Sequence, residues 1–256
     1  MSKKIMMVLL VAMSVMASAK EKDKVVPLSE SAGAALKGKS VVVTRRDKAS
    51  FTAMTAGKAT FALLGAGAMI VAGNKIVADN NIADPADLFE SELVPAVVKH
   101  YGLLLKEGPS PVIKASKPKE IAATQTDGDY ILDVQSAGWM FAYYPTSWDT
   151  YWIGYVGRVQ LIDRATGKLV ADGFCNANTN KHPVAPSKDA MLANNAQLLK
   201  DVTHGLGWTC THMLAKDEFR LADGETPVTP AEYVDPLTAY AQKNGNAAAA
   251  TPASSN

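Results

Sequence analysis

The chain has 256 residues, 48% of them hydrophobic and 20% charged, and carries a formal net charge of +1 at pH 7. That composition belongs to a globular protein with a sizeable core and excludes a low-complexity or strongly charged disordered chain. Basic and acidic residues balance, so no concentrated basic face is expected and nucleic acid is excluded as a partner.

Residues 1–19 read as an export signal. Ser2-Lys3-Lys4 is a short basic start, Ile5 to Ala17 carries no charge, and Ala17-Ser18-Ala19 offers the small residues that a signal peptidase accepts. The apolar run is shorter than the roughly 20 residues that span a bilayer, so cleavage after Ala19 is predicted rather than anchoring. The two cysteines are Cys175 and Cys210; none stands at the cleavage point, and no N-terminal lipid anchor is expected. Loss of Lys3 and Lys4 takes the 26 basic residues to 24, against 25 acidic ones. The expected location is the periplasm, with outer-membrane association or secretion as further destinations. All of these oxidise thiols.

Residues 20–38 mix charges with Ser, Ala and Gly without periodicity and read as a leader segment. Ser40 to Thr44 (SVVVT) is a β-branched strand. The stretch TFALLGAGAMIVAGNK, residues 60–75, invites three readings. It fails as a dinucleotide loop because Ile70 stands where the last glycine must be. It fails as a P-loop because Ala59 follows Gly57-Lys58 and Thr52 replaces the earlier glycine. The uncharged run from Ala59 to Asn74 is too short for a membrane span. A buried helix over about 57–72 is predicted, with Ala62, Ala66, Met69 and Gly73 on one side.

Asp84-Pro85-Ala86-Asp87 is a helix start, with an Asp cap and Pro at the first helical position. Phe89, Leu93, Val97, Tyr101 and Leu104 predict an amphipathic helix to about Lys106, kinked at Pro95. Gly108-Pro109-Ser110-Pro111 ends the unit. From Asp129 the period becomes two: Tyr130, Leu132 and Val134 face one way, Ile131, Asp133 and Gln135 the other. A second strand is predicted over about 148–163 and a third over 168–175, joined by a turn with Gly167 at the left-handed position. Ser187 caps a long helix to about Leu214, with the apolar stripe Leu192, Leu199, Val202, Leu206, Cys210 and Met213.

The predicted fold is α+β: an antiparallel sheet, made of a three-strand meander plus an N-terminal strand, with helices packed on one face. The domain spans 39–221. Residues 222–256 form a Pro-rich segment and then a disordered Ala/Asn/Ser tail from about Gln242.

The motifs "YILDV", "YVGRVQLIDRATGKLVADGFC" and "WTCTHML" resemble those of small exported bacterial envelope proteins, many of them lipoproteins without a known function. More faintly they resemble auxiliary proteins of envelope transport and assembly systems. The likeness covers about a third of the chain, is structural, and implies no catalytic residue and no cofactor. The missing lipid-anchor cysteine departs from many such proteins.

No G-x-S-x-G, H-E-x-x-H or C-x-x-C pattern occurs. Asp201 and His204 supply half a metal site without a third ligand, and no metal is expected. Asp133 and Arg158 suit a cross-strand pair, and Asp163 suits a turn acceptor. One concentration stands out: residues 139–155 hold Trp139, Phe141, Tyr143, Tyr144, Trp148, Tyr151, Trp152 and Tyr155. Such residues fill sheet cores, and Tyr151 and Tyr155 share parity with Val159 and Leu161. Unbulged strands, however, put Trp139 and Phe141 beside Asp133, and Trp148 and Trp152 beside Arg158. On that helix-free face, Trp139, Phe141, Trp148 and Trp152 form a candidate partner-binding patch for an envelope protein, a glycan or a lipid interface.

Two cysteines allow one intramolecular pairing. Cys175 shares strand parity with Leu169 and Ala171, and Cys210 lies on the helix stripe that must fold over the sheet. A Cys175–Cys210 disulfide is predicted, against the alternative of two separate buried thiols. The expected function is non-enzymatic binding or scaffolding in the envelope. The competing class is an envelope enzyme, hydrolase-like, with a site assembled from scattered residues.

Overall fold

The computed structural model describes residues 25–54, 65–106 and 112–245. The expected export signal, residues 55–64 with Ala62, residues 107–111 with the expected Gly108–Pro111 stop, and the tail from 246 lie outside the described residues.

Among the described residues six strands form one sheet: β1 (Ser40–Thr44), β2 (Phe51–Met54), β3 (Leu104–Leu105), β4 (Tyr130–Tyr144), β5 (Ser147–Asp163) and β6 (Lys168–Asn178), in the order β3-β1-β4-β5-β6 with β2 also on β4. The meander β4-β5-β6 is antiparallel as expected. The rest is not. β1 and β2 lie end to end along one edge of β4, both parallel to it, and β3 runs parallel to β1. The sheet is therefore mixed, a correction to the purely antiparallel expectation. Parallel neighbours need long crossovers, and the helices between these strands supply them. Asp129 locks the join, accepting from the Ser40 amide and hydroxyl at 2.8 Å each. Those two bonds hold its carboxyl below the usual range.

The helices are α1 (Glu30–Ala35), α2 (Gly65–Asn80), α3 (Val94–Tyr101), α4 (Pro118–Thr124), α5 (Lys188–Met213) and α6 (Pro236–Asn244). α1 falls in the segment read as an aperiodic leader, capped by Ser29 and flanked by fully buried Leu28 and Leu36. α2 corrects the buried-helix expectation: it continues to Asn80, and Val71 is 70% exposed. The small residue that matters is Gly73. A β-carbon there would lie 1.9 Å from the Phe51 carbonyl oxygen, so α2 sits on β2 only because the side chain is absent.

Before α3, residues Phe89–Leu93 form one widened turn in which the Val94 amide bonds the Phe89 carbonyl. The wide turn brings Pro95 into the first turn of α3, where no amide donor is needed. The helix stops at left-handed Gly102, and Leu104, expected on its stripe, lies in edge strand β3 instead. α5 is capped by Ser187 as predicted but breaks internally. Asn194, Asn195 and Ala196 adopt φ of 52°, 59° and 55°, a conformation asparagine tolerates better than most residues. The Pro-rich segment holds a 3-10 turn (Ala231–Tyr233) and α6 rather than only irregular chain.

The main core lies on one face of the sheet, where Leu132, Val134, Val159 and Leu161 meet Phe89, Leu93 and Val97 and the α5 residues Leu199, Val202 and Cys210. Cys175 and Cys210 are disulfide-bonded there, with Cα atoms 5.4 Å apart. A smaller cluster on the opposite face joins Ile113, Ile121 and Ala122 to Ile131 and Ile162. Helices thus occupy more than one face, α4 covering the end of the second. Away from α4, that second face stays open over the middle of β4, β5 and β6.

Candidate functional site

The aromatic run divides between the two faces because β4 bulges. Ser136 pairs with Gly157 and Gly138 with Val156, leaving Ala137 without a partner in the ladder. One extra residue turns every later side chain of β4 to the other face. Trp139 and Phe141 therefore point into the main core, corrected from the open face, with 3% and 0% exposure. Phe51 packs on both, at ring separations of 5.0 Å and 5.8 Å, and the Trp139 indole N–H donates to the Ala49 carbonyl at 2.7 Å. Tyr151 and Tyr155 are buried on the same face, as their parity requires. β5 keeps its alternation through this region, and Trp152 stays on the face of Arg158. Trp148, at the hairpin tip, is 53% exposed and rests on Tyr143. Of the four patch residues, Trp148 and Trp152 are accessible and the other two are structural.

The open face has two chemically distinct halves. Near β1 it carries closed ion pairs. Asp133 accepts from Thr44 and from two nitrogens of Arg46, and Asp172 is held by two nitrogens of Arg158 at 2.8 and 2.6 Å. The expected Asp133–Arg158 pair is thus replaced by two pairs with other partners, because β1 brings Arg46 and β6 brings Asp172.

The other half has no charged residue among those described as lining it. A groove of ≈ 650 Å³ runs across β4, β5 and β6 beyond the bulge, and every described residue lining it is neutral. Its floor includes Gly138, Met140, Gly154 and Val156, with Ile70 and Thr52 along one wall and Asn176, Asn178 and Asn180 along the other. Gly154 is the key to its shape. A β-carbon at Gly154 would stand 3.0 Å from the six-membered ring of Trp152 and 3.6 Å from Met140. The indole thus reaches along the strand, and the edge of its six-membered ring sits against the space left by the missing side chain. Asn176 pairs with Val156 and Asn178 with Gly154, so their exposed side chains rise from the edge strand on the same face, roughly 6.5 Å apart. Sequence reading identified Trp152 but missed Gly154 and the asparagines. The signal present was the alternation Asn176-Ala-Asn178-Thr-Asn180, which reads as a strand with one polar face.

Two other polar clusters lie away from the groove. Ser136 hydrogen-bonds the Asp84 carboxylate and lies 3.1 Å from the Tyr155 hydroxyl, tying the bulge to the start of the segment before α3. Burial drives the Tyr155 pKa upward, and the adjoining cavity of ≈ 40 Å³ holds little more than a water. His204 lies against Tyr233 with ring centroids 4.2 Å apart and planes inclined at 50°, and burial lowers its pKa. Asp201 accepts from Gln197. Among the described residues, no group of three or more His, Cys, Asp or Glu is placed to hold a metal.

No family model matches this chain, and no curated protein does. Solved structures similar to it include the lipoprotein GNA1162 from Neisseria meningitidis, at 10% identity and a TM-score of 0.29, covering 55% of this chain and 82% of that one. A PelC dodecamer from Paraburkholderia phytofirmans matches at 11% identity and a TM-score of 0.29, over 78% of this chain and 97% of that one. The C-terminal domain of LpoB from Salmonella enterica matches at 12% identity and a TM-score of 0.24, over 55% and 84%. Among the described residues no helix is long and apolar enough to cross a membrane.

Proposed function

We propose that the mature chain is an exported envelope protein that works by binding rather than by catalysis, and that the uncharged groove over β4–β6 is its binding surface. The observation that carries this reading is Trp152 set against Gly154, an indole edge in the space of an absent side chain, at the floor of a groove whose described lining has no charged residue. Large neutral concavities with a few convergent polar groups are ordinary ligand-binding surfaces. The envelope location is supported by the basic start, the short apolar run and the Ala17-Ser18-Ala19 site.

The test compares hydroxyl-radical oxidation of Trp152 in intact envelopes with that in the purified mature protein. A binding surface predicts Trp152 shielded in the envelope while Trp148 oxidises equally in both. Equal oxidation of Trp152 would remove the groove from consideration. Mass spectrometry of the native protein should find a chain starting at or next to Lys20; intact Met1 would overturn the export.

A further inference from the structure

We infer that the groove takes a neutral saccharide chain, with Trp152 as the stacking platform and Asn176 and Asn178 as the hydroxyl readers; this rests on the groove being the binding surface. A sugar ring presents C–H groups on its faces and hydroxyls around its rim. It therefore needs a broad, flat, polarisable surface beneath and groups beside it that both donate and accept. An indole face meets the first need, and its quadrupole attracts the weakly positive C–H hydrogens. A carboxamide meets the second, since asparagine offers two donors and an acceptor oxygen to one diol.

Gly154 makes the platform, because without a side chain there the indole approaches the strand instead of being held away from it. Gly138, across the ladder from Val156, has open space where a β-carbon would be, which keeps the groove continuous past the indole. Asn178 pairs across the ladder with Gly154 itself, and its Oδ1 accepts from the Asn180 amide at 3.3 Å, which fixes the carboxamide and leaves its NH2 to donate to a hydroxyl. Asn176 repeats the same amide two residues back along the strand. The repetition suits a chain of sugar units more than a single compact ligand.

The charge pattern selects among ligand classes. The described lining of the groove has no lysine, arginine, aspartate or glutamate, and the charged residues on the same sheet face, Asp133, Arg46, Asp172 and Arg158, are already paired with one another. A phosphate, a nucleotide or an acidic glycan would find no counter-charge among the described lining residues, and affinity for such ligands depends on one. The polar asparagine wall is equally unsuited to an acyl chain, which cannot satisfy the amides it would cover.

The experiment titrates the full mature protein with neutral hexasaccharides of glucose, mannose, galactose and N-acetylglucosamine, with hexagalacturonate as the acidic comparison, following Trp fluorescence and calorimetry. At least one neutral hexamer should bind, and the acidic one should bind at least about tenfold more weakly. Trp152→Ala should weaken binding by about tenfold or more, and Asn178→Ala by about threefold to tenfold. Gly154→Val, which drives a branched side chain against the indole edge and Met140, should do the same, with far-UV circular dichroism checking that the fold is kept. Retained affinity in Trp152→Ala and Gly154→Val, or preference for the acidic hexamer, would overturn the assignment. If no neutral hexamer binds but Trp152 is shielded in envelopes, the ligand class is wrong and the binding surface stands. If neither is seen, both fail.

Discussion

Trp139 and Trp152 stand on opposite faces of the same two-stranded ladder, although their spacing in an unbulged hairpin would put them on one. Ala137, unpaired opposite β5, turns Trp139 into the core. The two tryptophans consequently do different work. Trp139→Ala should cost about 3–5 kcal/mol, the usual loss for a large buried aromatic. Trp152→Ala should cost less than about 1 kcal/mol, because its ring lies on the groove floor and leaves no enclosed cavity. Urea denaturation of both variants against wild type checks the contrast, and equal costs would contradict the division of faces.

Gly73 should be intolerant of any side chain. The Phe51 carbonyl occupies the place of a β-carbon, and the Asn74 side chain accepts from the Phe51 amide at 2.9 Å, so α2 and β2 cannot separate without losing that bond. Gly73→Ala improves helix propensity by about 1 kcal/mol and still should lower stability by about 1–3 kcal/mol through the forced displacement. Gly67, on the same helix with open space around it, is the control: Gly67→Ala should be neutral or stabilising. Thermal unfolding of the two variants would separate them.

Glu218 lies in a second widened turn after α5 and is 1% exposed against Gly173 of β6. Burial, reinforced by the charge of Asp172 and opposed by that residue's amide, pushes its pKa up to about 7. A carboxyl whose pKa is higher folded than unfolded binds more protons in the native state. Its stability contribution is therefore intact below about pH 4.5 and is lost as pH rises toward 7. Glu218→Gln should stabilise the protein at pH 7.5 by about 1–3 kcal/mol and have little effect at pH 4.5. Denaturation midpoints of wild type and variant at the two pH values give the difference directly, and a pH-independent difference would refute the assignment.

The disulfide joins the edge strand to the last turns of α5 across 35 residues. Closing a loop of that length restricts the unfolded chain by about 3–4 kcal/mol. Replacement of both cysteines by alanine should lower the denaturation free energy by that order, and the unreduced, denatured protein should show no free thiol. The groove, built from β4–β6 and not from the bridge, should keep its ligand affinity in the double variant at temperatures where the fold persists.

Local elements were legible in the sequence because local chemistry sets them. β-Branched SVVVT marked β1, Ser187 marked the start of α5, Gly167 marked the β5–β6 turn, and a chain with two cysteines allowed one intramolecular bridge. Each depends on dihedral preferences, a cap or a pairing choice within reach of its own residues. What tertiary structure decided was which strands meet and which face a side chain takes. β1 and β2 lie parallel to β4 because helices carry the chain back over the sheet, and no residue in SVVVT or FTAM encodes that partner. Trp139 is buried because Ala137 is extruded at a point where β5 fixes the register from across the ladder. The groove exists for the same reason: Gly154 and Asn178 are distant in sequence and become neighbours only when β5 and β6 pair. A period-two pattern carries the side of each residue only until the first bulge, and the bulge is set by the partner strand.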